Sequence, residues 1–184
     1  MPMSNRLRSV LCIGVCALAV AASAGAAKTV YVLGGGTSAG PITLGRSTLP
    51  FARAGFAAGR RVRVVRHGSS CVASWNSLGL SVTYAVIGTD PRNPCKAGVA
   101  ISATIAGRSQ WRTRVGLRVG DSVLRLRKLY PRAPLKPYPS GRPGYWLVTG
   151  HACEVVGGFP FPSVFARVSG GHVTALVAQI TICD

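Results

Sequence analysis

At 184 residues, with 22 Lys and Arg against four Asp and Glu, the chain carries a formal charge of +18. So few acids leave almost no room for the paired-carboxylate chemistry of glycoside hydrolysis. A charge of this sign draws anions instead: acidic proteins, acidic wall polymers, lipid headgroups or nucleic acid. Most of the cations are Arg, a bias that genome composition alone also produces.

The chain opens like a secretion signal. Arg6 and Arg8 precede an apolar run over residues 10–20, too short for the roughly 20 residues that span a bilayer. Ala24-Gly25-Ala26 then fits the small-x-small cleavage pattern, with cutting before Ala27. An uncleaved anchor is the alternative. A lipoprotein fits less well, because Cys16 follows Val15 inside the apolar run. The expectation is a signal peptide over 1–26 and a secreted, periplasmic or envelope protein with no later membrane span.

Gly34-Gly35-Gly36-Thr37-Ser38 has the look of a phosphate loop but lacks the Gly-Lys-Ser/Thr ending, so residues 27–40 read as a Gly-rich linker. Next comes Ile42-Thr-Leu-Gly45-Arg-Ser47-Thr-Leu49, which lies without a gap over Leu117-Arg-Val-Gly120-Asp-Ser122-Val-Leu124 at an offset of 75 residues. Each segment reads as an extended stretch, a Gly turn, a Ser N-cap and a short helix. In the first, Phe51, Ala54 and Phe56 give a narrow apolar stripe after Pro50, ended by Gly55 and Gly59. In the second, Ser122 or Asp121 caps a helix whose Val123, Leu126, Leu129 and Tyr130 share one stripe, and Pro131 stops it.

Strands fill the rest. In the first half they are expected over 61–65, 80–87 and 99–105. The middle one alternates, with Leu80, Val82, Tyr84 and Val86 on one face and Ser81, Thr83 and Ala85 on the other. The stretch 131–143 holds five prolines and reads as a loop. A strand over 145–149 follows, then a hairpin of 164–168 and 173–182 across Ser169-Gly170-Gly171-His172. The expected fold class is α+β: two tandem repeats, 41–113 and 114–184, each a short helical segment packed on an antiparallel sheet of about three to four strands.

Beyond the signal there are four cysteines, which allow three pairings. Each half holds two of them around strand-forming sequence. This placement favours Cys71–Cys95 and Cys153–Cys183, one disulfide per repeat.

Convergent catalytic groups are hard to find. His67 and His151 each sit shortly before a cysteine assigned to a disulfide, so no free thiol remains beside them. His172 falls in a turn, and no Gly-x-Ser-x-Gly elbow is present. No CxxC pair supports zinc-ribbon chemistry, and a metal held by His67 and Cys71, or by His151 and Cys153, is the disfavoured alternative. The sequence therefore points to a non-catalytic, monomeric binding module with no cofactor and no metal. Its expected partner is an acidic protein or an anionic envelope polymer rather than a specific nucleic acid. The aromatic, Pro-rich stretches nominate Tyr138, Arg142, Tyr145, Trp146, Phe159 and Phe161 as the binding residues, since Trp, Tyr and Arg dominate interface hot spots.

Two units near 75 residues, each opening apolar-x-apolar-Gly-x-Ser before a helix and a sheet, resemble the beta-lactamase inhibitory protein family. They also resemble the small lipoprotein of the outer-membrane barrel assembly machine, which has a single such unit. Gly45-Arg46-Ser47 and Gly120-Asp121-Ser122 depart from that family's usual Gly-Met-Thr. The resemblance implies protein binding through an open sheet face but not that beta-lactamase is the partner, and inhibition of a secreted hydrolase stands as an alternative function. It carries no contact residue across to this chain.

Overall fold

The computed structural model describes residues 30–34, 37–56, 61–86, 92–107, 110–137, 143–149 and 162–180. In chain order the elements are β1 (Tyr31–Gly34), β2 (Ser38–Ala39), β3 (Ile42–Thr43), α1 (Leu49–Gly55), β4 (Arg63–His67), β5 (Ser70–Trp75), β6 (Leu80–Ala85), α2 (Pro94–Ala97), β7 (Val99–Ala106), β8 (Trp111–Thr113), α3 (Val123–Leu129), β9 (Leu135–Pro137), β10 (Pro143–Thr149), β11 (Pro162–Ser169) and β12 (His172–Gln179). One sheet has eight strands in the order β4-β5-β6-β7-β12-β11-β10-β9. Every pairing in it is antiparallel. A second sheet has the order β3-β2-β1-β8, with β1 and β8 parallel.

This corrects the expected fold class. The chain does not form two helix-on-sheet repeats, each with its own small sheet. The physical reason lies in β7 and β12. Left as edges of separate sheets, each would present a row of unpaired backbone groups. Instead they pair with each other from Ala106↔Ala175 to Ser102↔Gln179 and close the two strand sets into one sheet. The helices are short, with α1 and α3 seven residues each and α2 four.

The two Gly-x-Ser segments nevertheless end in similar turns. Gly45 (φ 80°) and Gly120 (φ 94°) take the left-handed region that glycine favours. Their N–H groups donate to Ala100 and Val173, near the starts of β7 and β12. The residue-by-residue match slips by one, however. The N-cap of α1 is Thr48 and that of α3 is Ser122. Ser47 is buried instead, its Oγ accepting from the Thr43 N–H at 2.8 Å.

Three other stretches differ from expectation. Residues 31–34 and 38–39, read as part of a linker, are strands, and Gly34 pairs with Ser38 across a hairpin. β5 had no assigned strand, although its Cys71, Ala73 and Trp75 alternate inward. β9 forms within the Pro-rich stretch at the edge of the sheet, where proline is tolerated because one side of the ladder is open.

The core lies between the large sheet and the layer of helices and small sheet. Trp75, Leu80, Val82, Tyr84, Ile105, Leu176 and Ala166 come from the sheet; Leu33, Ile42, Leu49, Leu117 and Leu126 come from the covering layer. An aromatic cluster joins the two layers. Tyr31 stacks on Trp111 at 4.8 Å, Phe56 stands 5.1 Å from Trp75, and Trp111 Nε1 donates to the Leu78 carbonyl at 3.0 Å. Cys71 in β5 is disulfide-bonded to Cys95 in α2, with Cα atoms 5.2 Å apart. Closing that 24-residue separation stabilises the fold by about 3 kcal/mol in the chain-entropy account. The Asn93 side chain caps α2 by accepting from the Cys95 N–H. Cys153 and Cys183 lie outside the described residues, as does the expected signal peptide. Among the described residues no helix is long and apolar enough to cross a membrane.

Tyr84 is a core residue with an unmet group. Its hydroxyl is buried without a hydrogen-bond partner. Burial pushes its ionisation far above the ordinary tyrosine range, with the Arg53 guanidinium pulling weakly the other way. A group whose folded pKa is raised contributes stability below its unfolded pKa, and that stability is lost as the pH rises beyond it. Tyr84→Phe is therefore expected to leave stability at neutral pH unchanged or raise it by up to about 1 kcal/mol. Above about pH 10 the wild type should lose stability more steeply than the variant. Urea titrations at neutral and alkaline pH check this, and parallel losses in the two proteins would contradict it.

Candidate functional site

Of the nominated binding residues, Tyr138, Arg142, Phe159 and Phe161 lie outside the described residues. Tyr145 and Trp146 are neighbours on β10 and so point to opposite faces. Tyr145 faces the helices and is buried. Its hydroxyl accepts from Arg127 Nε at 3.1 Å, and the same guanidinium stands 5.9 Å from its ring centre. It ties α3 to the sheet, a structural role. Trp146 is half-buried on the other face.

That outer face follows from register. Residues paired with the inward Cys71, Ala73, Val82, Ala103 and Leu176 are themselves inward, so their neighbours along each strand point out. One row across the sheet reads Arg63, Ser74, Ser81, Thr104, Val177, Phe165, Trp146. The next row reads Val65, Val72, Thr83, Ser102, Gln179. The centre of the face, on β5, β6 and β7, is thus uncharged and made of small hydroxyl side chains around Val72. All of those hydroxyl residues are part-exposed, and Ser74 Oγ and Ser81 Oγ are hydrogen-bonded at 2.9 Å. A 360 Å³ groove lined by Asn76, Gly79, Leu80, Ser81, Thr104 and Ala106 opens at one end.

Charge and aromatic surface stand at the two sides of this floor. On one side, β4 carries the exposed Arg63 and His67. On the other, Lys136 and Arg167 both sit opposite Gly144. The Lys136 ammonium stands 4.9 Å from the Trp146 ring centre. Phe165, Ala175 and Val177 are buried on this face although they are outside the main core cluster.

The described histidines form no site. His67 and His172 are exposed on separate strands, and the His172 ring Nδ1 lies 2.9 Å from the carbonyl of Gly170 in its own turn. His151 lies outside the described residues. Among the described residues no three His, Cys, Asp or Glu gather for a metal. A larger groove of 660 Å³ beside the small sheet has Arg114 as the one charged residue in its lining. No family model, curated protein or solved structure matches the chain, so the site rests on its own geometry.

The hydroxyl floor was partly visible in sequence, since Ser81, Thr83 and Ala85 alternate with apolar residues. Its extent was not, because it depends on the pairing of β5 and β12 with their neighbours. Gly144 shows how tightly its aromatic end is built: a Cβ there would run into the Phe165 ring and come within 2.6 Å of the Ala166 carbonyl oxygen. Gly144→Ala is expected to destabilise by about 1–3 kcal/mol through overpacking. Denaturant midpoints check this, and a variant as stable as the wild type would contradict the close seating of Phe165 on Gly144.

Proposed function

We propose that this chain is a secreted, non-catalytic binding module that docks an acidic protein on the outer face of its eight-stranded sheet. The observation that carries this reading is the uncharged, mostly hydroxyl floor on β5, β6 and β7, set between Arg63 of β4 and the cations of β9 and β11. Protein interfaces have this anatomy, with charge depleted at the centre and polar or charged groups at the rim. Ser and Thr hydroxyls both donate and accept, so a floor of them adapts to a partner's backbone. The flanking cations favour a partner with an acidic rim and speed encounter with it.

A second reading is a cationic envelope protein that holds anionic wall polymer or lipid without a specific protein partner. What favours it is the charge balance. Among the described residues Asp121 is the single acid, and it is engaged by Arg125 at 3.2 Å, while exposed Arg and Lys stand on α1, β4, α2, β8, α3 and β9.

The two readings give opposite signs in one experiment. Wild type, Ser81→Arg and Thr104→Arg are used to capture partners from the protein's own secreted fraction at moderate salt, and binding to an anionic wall polymer is measured alongside. A docking floor should lose its protein partner by about tenfold or more when a charge is placed in its centre, with the melting temperature held. Polymer binding should instead strengthen with the added cation and collapse as salt rises. Unchanged or stronger capture by both variants would contradict the docking floor.

A further inference from the structure

We infer that β4 takes an acidic extended segment of a partner as a further antiparallel strand on its free edge, read as acid-apolar-apolar-acid opposite Arg66, Val65, Val64 and Arg63. This contact lies on the rim of the sheet, and it stands or falls apart from the docking floor.

The backbone carries the first part of the argument. β4 ends the order of the large sheet, and no described strand lies beyond it. Its hairpin with β5 turns at Gly68-Ser69, where Gly68 takes φ 53° and Ser69 a negative φ. That is the type II′ pattern, which the hydrogen-bonded pair His67↔Ser70 closes. Bonded and non-bonded pairs alternate from there, so Val65 and Arg63 also direct their backbone groups to β5. The N–H and C=O of Val64 and Arg66 therefore point away from the sheet, and no described residue answers them.

The two edges of the sheet are not alike. β9, at the far edge, is three residues long and ends in Pro137, with Pro134 just before it, which discourages pairing. β4 has five residues, no proline and an unbroken register with β5. Arg63 and Arg66 are exposed on it and start from opposite faces, since Arg66 pairs with the inward Cys71 and Arg63 with the outward Ser74. The single described acid, Asp121, is held by Arg125 and leaves these two without a carboxylate. A second copy of β4 would bring arginine against arginine, which disfavours self-pairing. A strand with an acid opposite each arginine is favoured by the same rule. Between them the half-buried Val64 and Val65 suit β-branched neighbours.

The test is nitrogen–proton NMR of the labelled full chain, titrated with a capped peptide whose core is Glu-Val-Val-Glu. The expected result is a saturable shift of the Val64 and Arg66 amides, which become protected from exchange. Arg63→Ala and Arg66→Ala should each weaken binding by about threefold with the fold intact, the scale of an exposed ion pair. N-methylation of the first Glu and second Val of the peptide removes the N–H groups that face β4 and should weaken binding by about tenfold or more. N-methylation of the first Val and second Glu, whose N–H groups face away, should leave it within about twofold. Equal effects of the two patterns overturn strand addition, and equal binding of a Gln-Val-Val-Gln peptide overturns the acidic assignment. Concentration-dependent shifts at Val64 and Arg66 without peptide place a second copy on the edge and overturn the inference. Shifts at the Ser81 and Thr104 amides alone, or no shift at any of these groups, also overturn it, while the capture experiment with the Arg variants decides the docking floor separately.

Discussion

The pairing of β7 with β12 positions nearly everything else. Their antiparallel register from Ala106↔Ala175 to Ser102↔Gln179 turns two strand sets into one ladder. Both ladders would otherwise end in open backbone groups, which must be paired or hydrated. The same two strands hold the covering helices. Thr48 and Ser122, the N-caps of α1 and α3, bridge to Val99 and His172 at the strand starts, beside the glycine turns that donate to Ala100 and Val173. β12 is also apolar on both faces: Val173, Leu176 and Ala178 reach the core, and Ala175 and Val177 are buried on the other side. A strand of that kind belongs in the middle of a sheet.

One continuous sheet has consequences for function. Its inner face is sealed by the helices and the small sheet, and its outer face crosses from the cationic β4, over the hydroxyl floor, to the aromatic and cationic end at Trp146 and Lys136. No single strand carries that gradient. It exists because seven successive pairings place uncharged residues in the centre and cations toward the sides. Tyr145 and Trp146 show how the sheet sorts neighbouring residues, the first used to hold α3 and the second left with an unmet donor on the outer face.

Local signals were legible in the sequence and long-range ones were not. The turn of Ser169 to His172, the stripe that buries Leu126, and the alternation of Leu80, Val82 and Tyr84 all reside in a few adjacent residues, and the structure places strands or a helix there. The Cys71–Cys95 link followed from placement within one half and is present. What failed was the inference from repetition to separate units, because nothing in β7 or β12 alone says that they pair. β1 escaped notice since Tyr31 and Leu33 sit beside glycines and gain their core role from Trp111, 80 residues on. The binding site was sought in aromatic loops because those residue types stand out. A floor of Ser and Thr becomes visible as a surface once its strands are in register.

Native-state hydrogen exchange at the β7–β12 seam tests the central claim most directly. If the seam makes one cooperative sheet, the amides of Ala103, Ile105, Leu176 and Ala178 exchange only through global unfolding, with free energies equal to that from denaturant titration. Seam amides that exchange through a lower-energy opening, while β5–β6 and β10–β11 stay protected, would contradict it and show two strand sets that fold apart.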